Sequence, residues 1–128
     1  MVGEECLKHI VKIPLKLITL NDYVDKNRTN KRYANSCKQK TERDIKLFLR
    51  NLPEIKKPVK IRITWVEENR KRDPDNIAFA KKFILDALVK AGKLPNDGHR
   101  WIKGLEDKFE FAKEPEIIVE LIEVEEEV

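Results

Sequence analysis

Asp73 and Asp75 lie two residues apart, directly behind the cations Arg70, Lys71 and Arg72. Carboxylates leaving the end of a strand on the first turn of a helix are placed to hold a hard divalent cation, and flanking cations are placed to hold phosphates. Mg2+ takes oxygen ligands in near-octahedral geometry and keeps waters and substrate phosphate oxygens alongside a few carboxylates. Such a site polarises a phosphodiester and lowers the pKa of an attacking water. Asp97 is the best third acid, expected near Asp73 after one strand out and one helix back; Glu67 and Glu68 are alternatives. Lys82 is the candidate cation for the phosphate in flight. An ordinary structural account exists for each. Asp73 before Pro74 is a standard helix start, Asp75 suits the helix dipole, Asp97 before Gly98 marks a turn, and Lys82 with Asp86 reads as a surface ion pair.

The elements that position these residues are read from periodicity. Val59, Ile61, Ile63 and Trp65 alternate with polar residues up to Val66, which predicts a strand. From Pro74 to Ala91 the stripe Ile77, Ala80, Phe83, Ile84, Ala87, Leu88 predicts one amphipathic helix, closed by Gly92. At about 100° per residue, Lys82 stands above Asp75 and Lys81 points away. Leu85 and Val89 lie off the stripe, facing a second subunit or widening the core contact.

Upstream, residues 7–18 predict a strand with His9, Val11, Ile13, Leu15 and Leu17 on one face, and Pro14 restricts it to an edge or ends it. Residues 19–29 are rich in turn formers and predict a loop, which runs into Arg28, Lys31 and Arg32 beside Tyr23 and Tyr33. Cations interleaved with aromatics suit phosphate contact with stacking, or a solvated loop with one tyrosine on the core. Residues 31–52 predict a helix ended by Pro53, with Cys37 a small core residue rather than a nucleophile. Beyond the loop Leu94–Gly98, strands are expected over Trp101–Phe111 and Ile117–Val124. The order β-α-β-α-β-β predicts an α+β fold: a small mixed sheet with two helices on it, in one domain over residues 1–128.

The chain carries 27 Lys and Arg against 23 Asp and Glu, a net +4. The cations concentrate in residues 26–103, while Glu120–Val128 holds five Glu and no cation. A basic body suits a polyanionic partner, or is simply a well-solvated surface. Cys6 and Cys37 form no disulfide framework, so a reduced cytoplasmic setting is the default. Residues 1–8 lack the apolar core of a signal peptide, and no apolar run approaches the ~20 residues of a membrane span. His9 and His99 lack metal-ligand partners, His9 reading as a core or edge histidine. Neither a glycine-rich phosphate loop nor a serine elbow is present.

Taken together, Arg72-Asp73-Pro74-Asp75-Asn76, Leu85-Asp86-Ala87-Leu88, Gly92 and Asn96-Asp97 resemble the RusA family of Holliday junction resolvases, as does Leu20-Asn21-Asp22-Tyr23 with the basic run Arg28–Tyr33. The resemblance covers most of residues 10–124 and is nearest to phage and prophage members. It implies a RusA-like fold and a homodimeric endonuclease, Mg2+-dependent with Mn2+ as a substitute, that resolves four-way DNA junctions by paired symmetric nicks in recombination and repair. It assigns the metal acids to Asp73, Asp75 and Asp97. It places Asn21, Arg28, Lys31, Arg32, Arg70, Lys71, Arg72 and Asn76 toward DNA. The family's lysine often stands four residues beyond the second acid, where this chain has Phe79, and Lys82 is the substitute. The position before Asp97, often acidic in the family, is Asn96. A broader flap or branched-DNA nuclease and a DNA-binding module without catalysis are the alternatives.

Overall fold

The computed structural model describes residues 7–125, and its elements run β1 (Lys8–Ile13), α1 (Leu20–Thr29), α2 (Lys31–Phe48), β2 (Val59–Glu67), α3 (Pro74–Ala78), α4 (Lys81–Lys90), β3 (Ile102–Phe111) and β4 (Glu116–Glu123). Cys6, most of the N-terminal segment and Glu126–Val128 of the acidic tail lie outside those residues.

The alternation in β2 sets the centre of the sheet. Val59, Ile61, Ile63 and Trp65 are buried on its inner face, and the strand is paired on both sides. The order is β1-β4-β2-β3, with β2 parallel to β3 and antiparallel to β4, so the sheet is mixed. Residues 112–115 carry the chain across the end of β2, where the Ala112 amide donates to the Glu67 carbonyl at 2.9 Å. The strand β1 is an edge and stops at Ile13, because Pro14 has no amide hydrogen to continue the ladder. On the sheet's outer face Lys8, Glu120, Arg62 and Glu106 form a ladder of ion pairs, with distances from 2.8 to 3.5 Å. The inner face meets Ile45 and Leu49 from the α2 region and Ile77, Phe83, Ile84, Ala87 and Leu88 from α3 and α4. Leu85 and Val89 are half-buried against this same core, which is the wider-contact alternative for them.

Two expectations about helices are corrected. Residues 19–29 are not a loop: Thr19 caps α1 by accepting the Asp22 amide at 3.3 Å, while Lys26 and Arg28 complement the helix C-terminus. The turn-forming residues are the ends and exposed face of a helix. Tyr23 anchors it, 5.5 Å from the Phe79 ring and 5.7 Å from Phe83.

The Pro74–Ala91 helix is also not continuous, since it breaks at Phe79 and Ala80. There the amides of Ala80, Lys82 and Phe83 donate to carbonyls three residues back, at 3.0 to 3.2 Å. Three residues per turn advance each residue by about 120° instead of about 100°. Over this short stretch the helical phase shifts by roughly 60–80°. Lys81 lies half-buried on the flank of α4, with Nζ 2.5 Å from Asp107 Oδ2, and Lys82 is exposed. The expected stacking of Lys82 over Asp75 required an unbroken helix.

The parallel path of α2 and α4 places the basic corner. Lys38 lies 3.7 Å from Asp86 and Lys90 lies 2.5 Å from Glu42, two pairs at the same sequence offset. The two helices run in one direction, so the start of α2 lies at the end of the fold where α4 begins, beyond the exit of β2. Among the described residues, no helix is long and apolar enough to cross a membrane.

Candidate nucleic-acid interface and carboxylate pair

At the exit of β2, the buried Glu67 is met by Arg72, whose Nε is 3.1 Å from Glu67 Oε1. Arg72 is thus half-buried and matched within the fold. Glu68 is exposed and bonded to Lys16 at 2.7 Å; that bond, chiefly, holds its carboxyl below the usual range. Both alternative acids therefore have partners. The Arg70 guanidinium lies 4.6 Å from the Phe111 ring centroid, a cation–π distance. Lys71 is exposed, and its amide donates to Asn69 Oδ1 at 2.9 Å.

Asp73 occupies the N-cap of α3 with Pro74 behind it, yet its side chain accepts no capping hydrogen bond. The capping account explains the position and leaves the carboxylate exposed. Asp75 is exposed too, and Oδ1 accepts the Asn76 amide at 3.0 Å. A carboxylate bonded this way retains its second oxygen for a cation. Asn76 itself is half-buried.

The basic corner joins this end of the fold. Arg28 closes α1, while Lys31 and Arg32 open α2; all three are exposed and form no ion pair among the described residues. Cations in the first turn of a helix oppose its dipole, and α2 has no acid there to offset them. A bound phosphate would do so. Tyr33 is exposed with the Lys26 ammonium 4.9 Å from its ring centroid, whereas Tyr23 is packed inside. Asn21 is exposed in the first turn of α1.

Asp97 is not brought to this place. It lies five residues before β3, whereas Asp73 lies six residues after β2, and Val59 pairs with Ile102 while Glu67 pairs with Phe111. In a parallel pair the approach to one strand and the exit from the other are at opposite ends, separated here by roughly 30 Å of ladder. Asp97 instead borders a recess of about 320 Å³ with Leu85, His99, Ile102, Lys103 and Leu105. Consistently, among the described residues no group of three or more His, Cys, Asp or Glu side chains could hold a metal ion. One helix back from β2 returns the chain to the start of the sheet, not to the start of the helix.

Sequence reasoning did not anticipate Asp107, which accepts from both Lys81 and the Trp65 indole, the latter at 2.9 Å. Its alternation on β3 gave no sign of this, because the partners come from α4 and β2. His9 is half-buried at the sheet edge, 2.9 Å from Glu123, as its place in an edge strand suggested. Cys37 is half-buried on α2, with a free thiol.

No protein-family model and no curated protein matches the chain.

Proposed function

We propose that the chain is a structure-specific DNA endonuclease of the RusA type, dependent on Mg2+ and cutting four-way junctions as a homodimer. The observation that carries this reading is the Asp73–Asp75 pair. Two exposed carboxylates stand at a strand exit, one at a cap position without capping, with Lys71, Arg28, Lys31 and Arg32 at the same end of the fold. The pair fits the donor chemistry of Mg2+, which is commonly held by one or two carboxylates completed by waters and substrate phosphate. When bound, the ion would polarise the phosphoryl group and acidify a water.

The remaining roles belong to the chain. Arg28, Lys31, Arg32, Lys71 and Arg70 position the backbone of branched DNA, with Asn21 and Asn76 at the margin. Arg72 orders the strand exit through Glu67. Lys82 is the exposed member of the lysine doublet, without an ion pair among the described residues, and is assigned to the phosphate, while Lys81 is held by Asp107. The length of the β2–β3 ladder separates Asp97 from the pair in its own chain, so the third carboxylate is assigned to the second copy. A two-fold dimer also suits a junction whose cut strands are related by near two-fold symmetry.

Asp75→Asn is expected to abolish cutting of a synthetic four-way junction in Mg2+ while retaining binding; full cutting by this variant overturns the assignment. Competition among junction, flap and linear duplex separates a resolvase from a broader branched-DNA nuclease. That no three-acid cluster occurs among the described residues favours one rival, a DNA-binding module without catalysis. Titration of Mg2+ by calorimetry decides between them, because a pure binder shows no heat that depends on Asp73.

A further inference from the structure

Beyond the corner beside the acids, the exposed line of α2 carries a second feature. Arg32, Ser36, Gln39, Arg43 and Lys46 are all exposed and recur at steps of three and four residues, so they form one stripe along the helix. No acid falls on that stripe. Arg32 to Lys46 spans about 20 Å at 1.5 Å per residue. At its far end lies a cleft of about 620 Å³ between the C-terminal ends of α2 and α4, lined by Arg43, Lys46, Leu47, Arg50, Lys90 and Lys93, with no acidic residue in its wall.

Ordinary structural roles account for part of this charge. Lys46 and Lys90 sit in the last turns of their helices, where cations are favoured. Lys90 is bonded to the buried Glu42, and Lys93 donates to the Arg50 carbonyl at 3.4 Å. Arg43 and the Arg50 side chain remain without an ion pair among the described residues, on either side of Leu47, which is 57% exposed.

We infer that the α2 stripe and its cleft are a second contact surface for a duplex DNA arm, whose phosphates step from Arg32 and Lys31 at the carboxylate end to Arg43, Lys46 and Arg50. Charge complementarity selects the occupant. The stripe is cationic at both ends, Ser36 and Gln39 supply uncharged donors between them, and its length matches about six base pairs at 3.4 Å each. Leu47 offers an apolar contact for deoxyribose. This inference rests on the DNA reading above, and it extends the footprint to the far end of the molecule from the acids.

The test is fluorescence anisotropy on the full chain with a labelled synthetic four-way junction, in EDTA, over a range of salt. Each lost phosphate contact lowers the slope of log K against log salt by about 0.9. The double variant Arg43→Gln with Arg50→Gln is expected to reduce that slope by about 1.8, which amounts to about tenfold less loss of affinity between 50 and 200 mM salt. The control Lys40→Gln with Lys60→Gln removes the same net charge from positions off the stripe and should leave the slope nearly unchanged. An unchanged slope in the arginine variant overturns the inference, and so does an equal reduction in the control. Circular dichroism melts of both variants check that each is folded, and the milder single variant Arg43→Gln should then show about half the change. Since EDTA prevents metal-dependent cutting, the catalytic reading can fail while this one stands, and the reverse.

Discussion

Replacing Lys81 and Lys82 one at a time tests the helix break and the chemical role together. Lys81 Nζ is 2.5 Å from Asp107 Oδ2, with side chains 22% and 23% exposed, and the other Asp107 oxygen takes the Trp65 indole at 2.9 Å. Lys81→Ala leaves that carboxylate half-buried against the indole and without a counter-charge. A hydrogen bond between charged groups contributes about 1.5–3 kcal/mol. Discounted for the remaining solvent access, the expected loss is about 1–2 kcal/mol. Lys82 is exposed on a helix, where alanine is at least as good a helix former. Lys82→Ala should therefore stay within about 0.5 kcal/mol of the parent. Urea unfolding reads both. In junction cutting the order inverts. Losing a cation that steadies the phosphate costs about 10²–10³ in rate, so Lys82→Ala should cut poorly while its affinity for the junction in EDTA changes little. If Lys82→Ala is the destabilised variant, the phase derived from the break is wrong. If it cuts at the parent rate while Lys81→Ala, held at a temperature where it is folded, does not, the catalytic lysine is Lys81. The shift of roughly 60–80° would already have turned Lys81 toward the Asp75 line.

Gly92 has φ of +74°, and a Cβ there would meet nothing within 4 Å, so Gly92→Ala should cost about 1–2 kcal/mol in urea unfolding from backbone conformation alone. A neutral result would mean that the turn after α4 relaxes freely. Lys8, 2.8 Å away, is the main cause holding the Glu120 carboxyl below its ordinary value of 4.5; Arg62 adds to the effect and burial opposes it. Because the folded pKa is depressed, this contribution is full above the unfolded pKa and is lost as pH falls through the folded one. Lys8→Ala should thus destabilise by about 0.5–1 kcal/mol at pH 7, and the difference from the parent should shrink in melts taken below about pH 4. A difference that is constant with pH would assign the effect to lost packing.

The strands and the helix end at Gly92 were legible because each depends on local rules. Val59 to Trp65 alternate, Pro14 lacks a donor, and glycine alone takes the left-handed turn without strain. The α1 helix was hidden by its polar surface, although Leu20, Tyr23 and Val24 stand at the helical steps of three and four. The break at Phe79 and Ala80 has no local signal, since neither residue disfavours a helix. It coincides with the packing of Phe79 on Tyr23 and Phe83 at 5.5 and 5.6 Å, a tertiary cause. Glu42 and Asp107 escaped notice for the same reason: each is held by a lysine from another element. At the candidate site the carboxylate pair and the basic corner were legible as residue types. What could not be read was which cations the fold would keep for itself, as it keeps Arg72 for Glu67.

Asp97 shows how topology decides what spacing leaves open. A helix that follows a strand and leads to a parallel neighbour must return the chain to the start of the sheet, so the acid after the helix is separated from the acid before it by the length of the ladder. The three-acid site and the dimer consequently stand or fall together. Subunit mixing separates the cases. If Asp97 acts in the partner's site, a heterodimer of Asp75→Asn and Asp97→Asn copies holds one site with Asp73, Asp75 and Asp97 all intact and one site lacking both altered acids. Mixing two inactive preparations should then restore nicking of one strand of a four-way junction, without the paired cuts of the parent. If the acids act within one chain, every site in the heterodimer lacks one acid, and mixing restores nothing. If Asp97→Asn alone cuts at the parent rate, Asp97 is a turn residue, and Asp73 and Asp75 carry the metal without it.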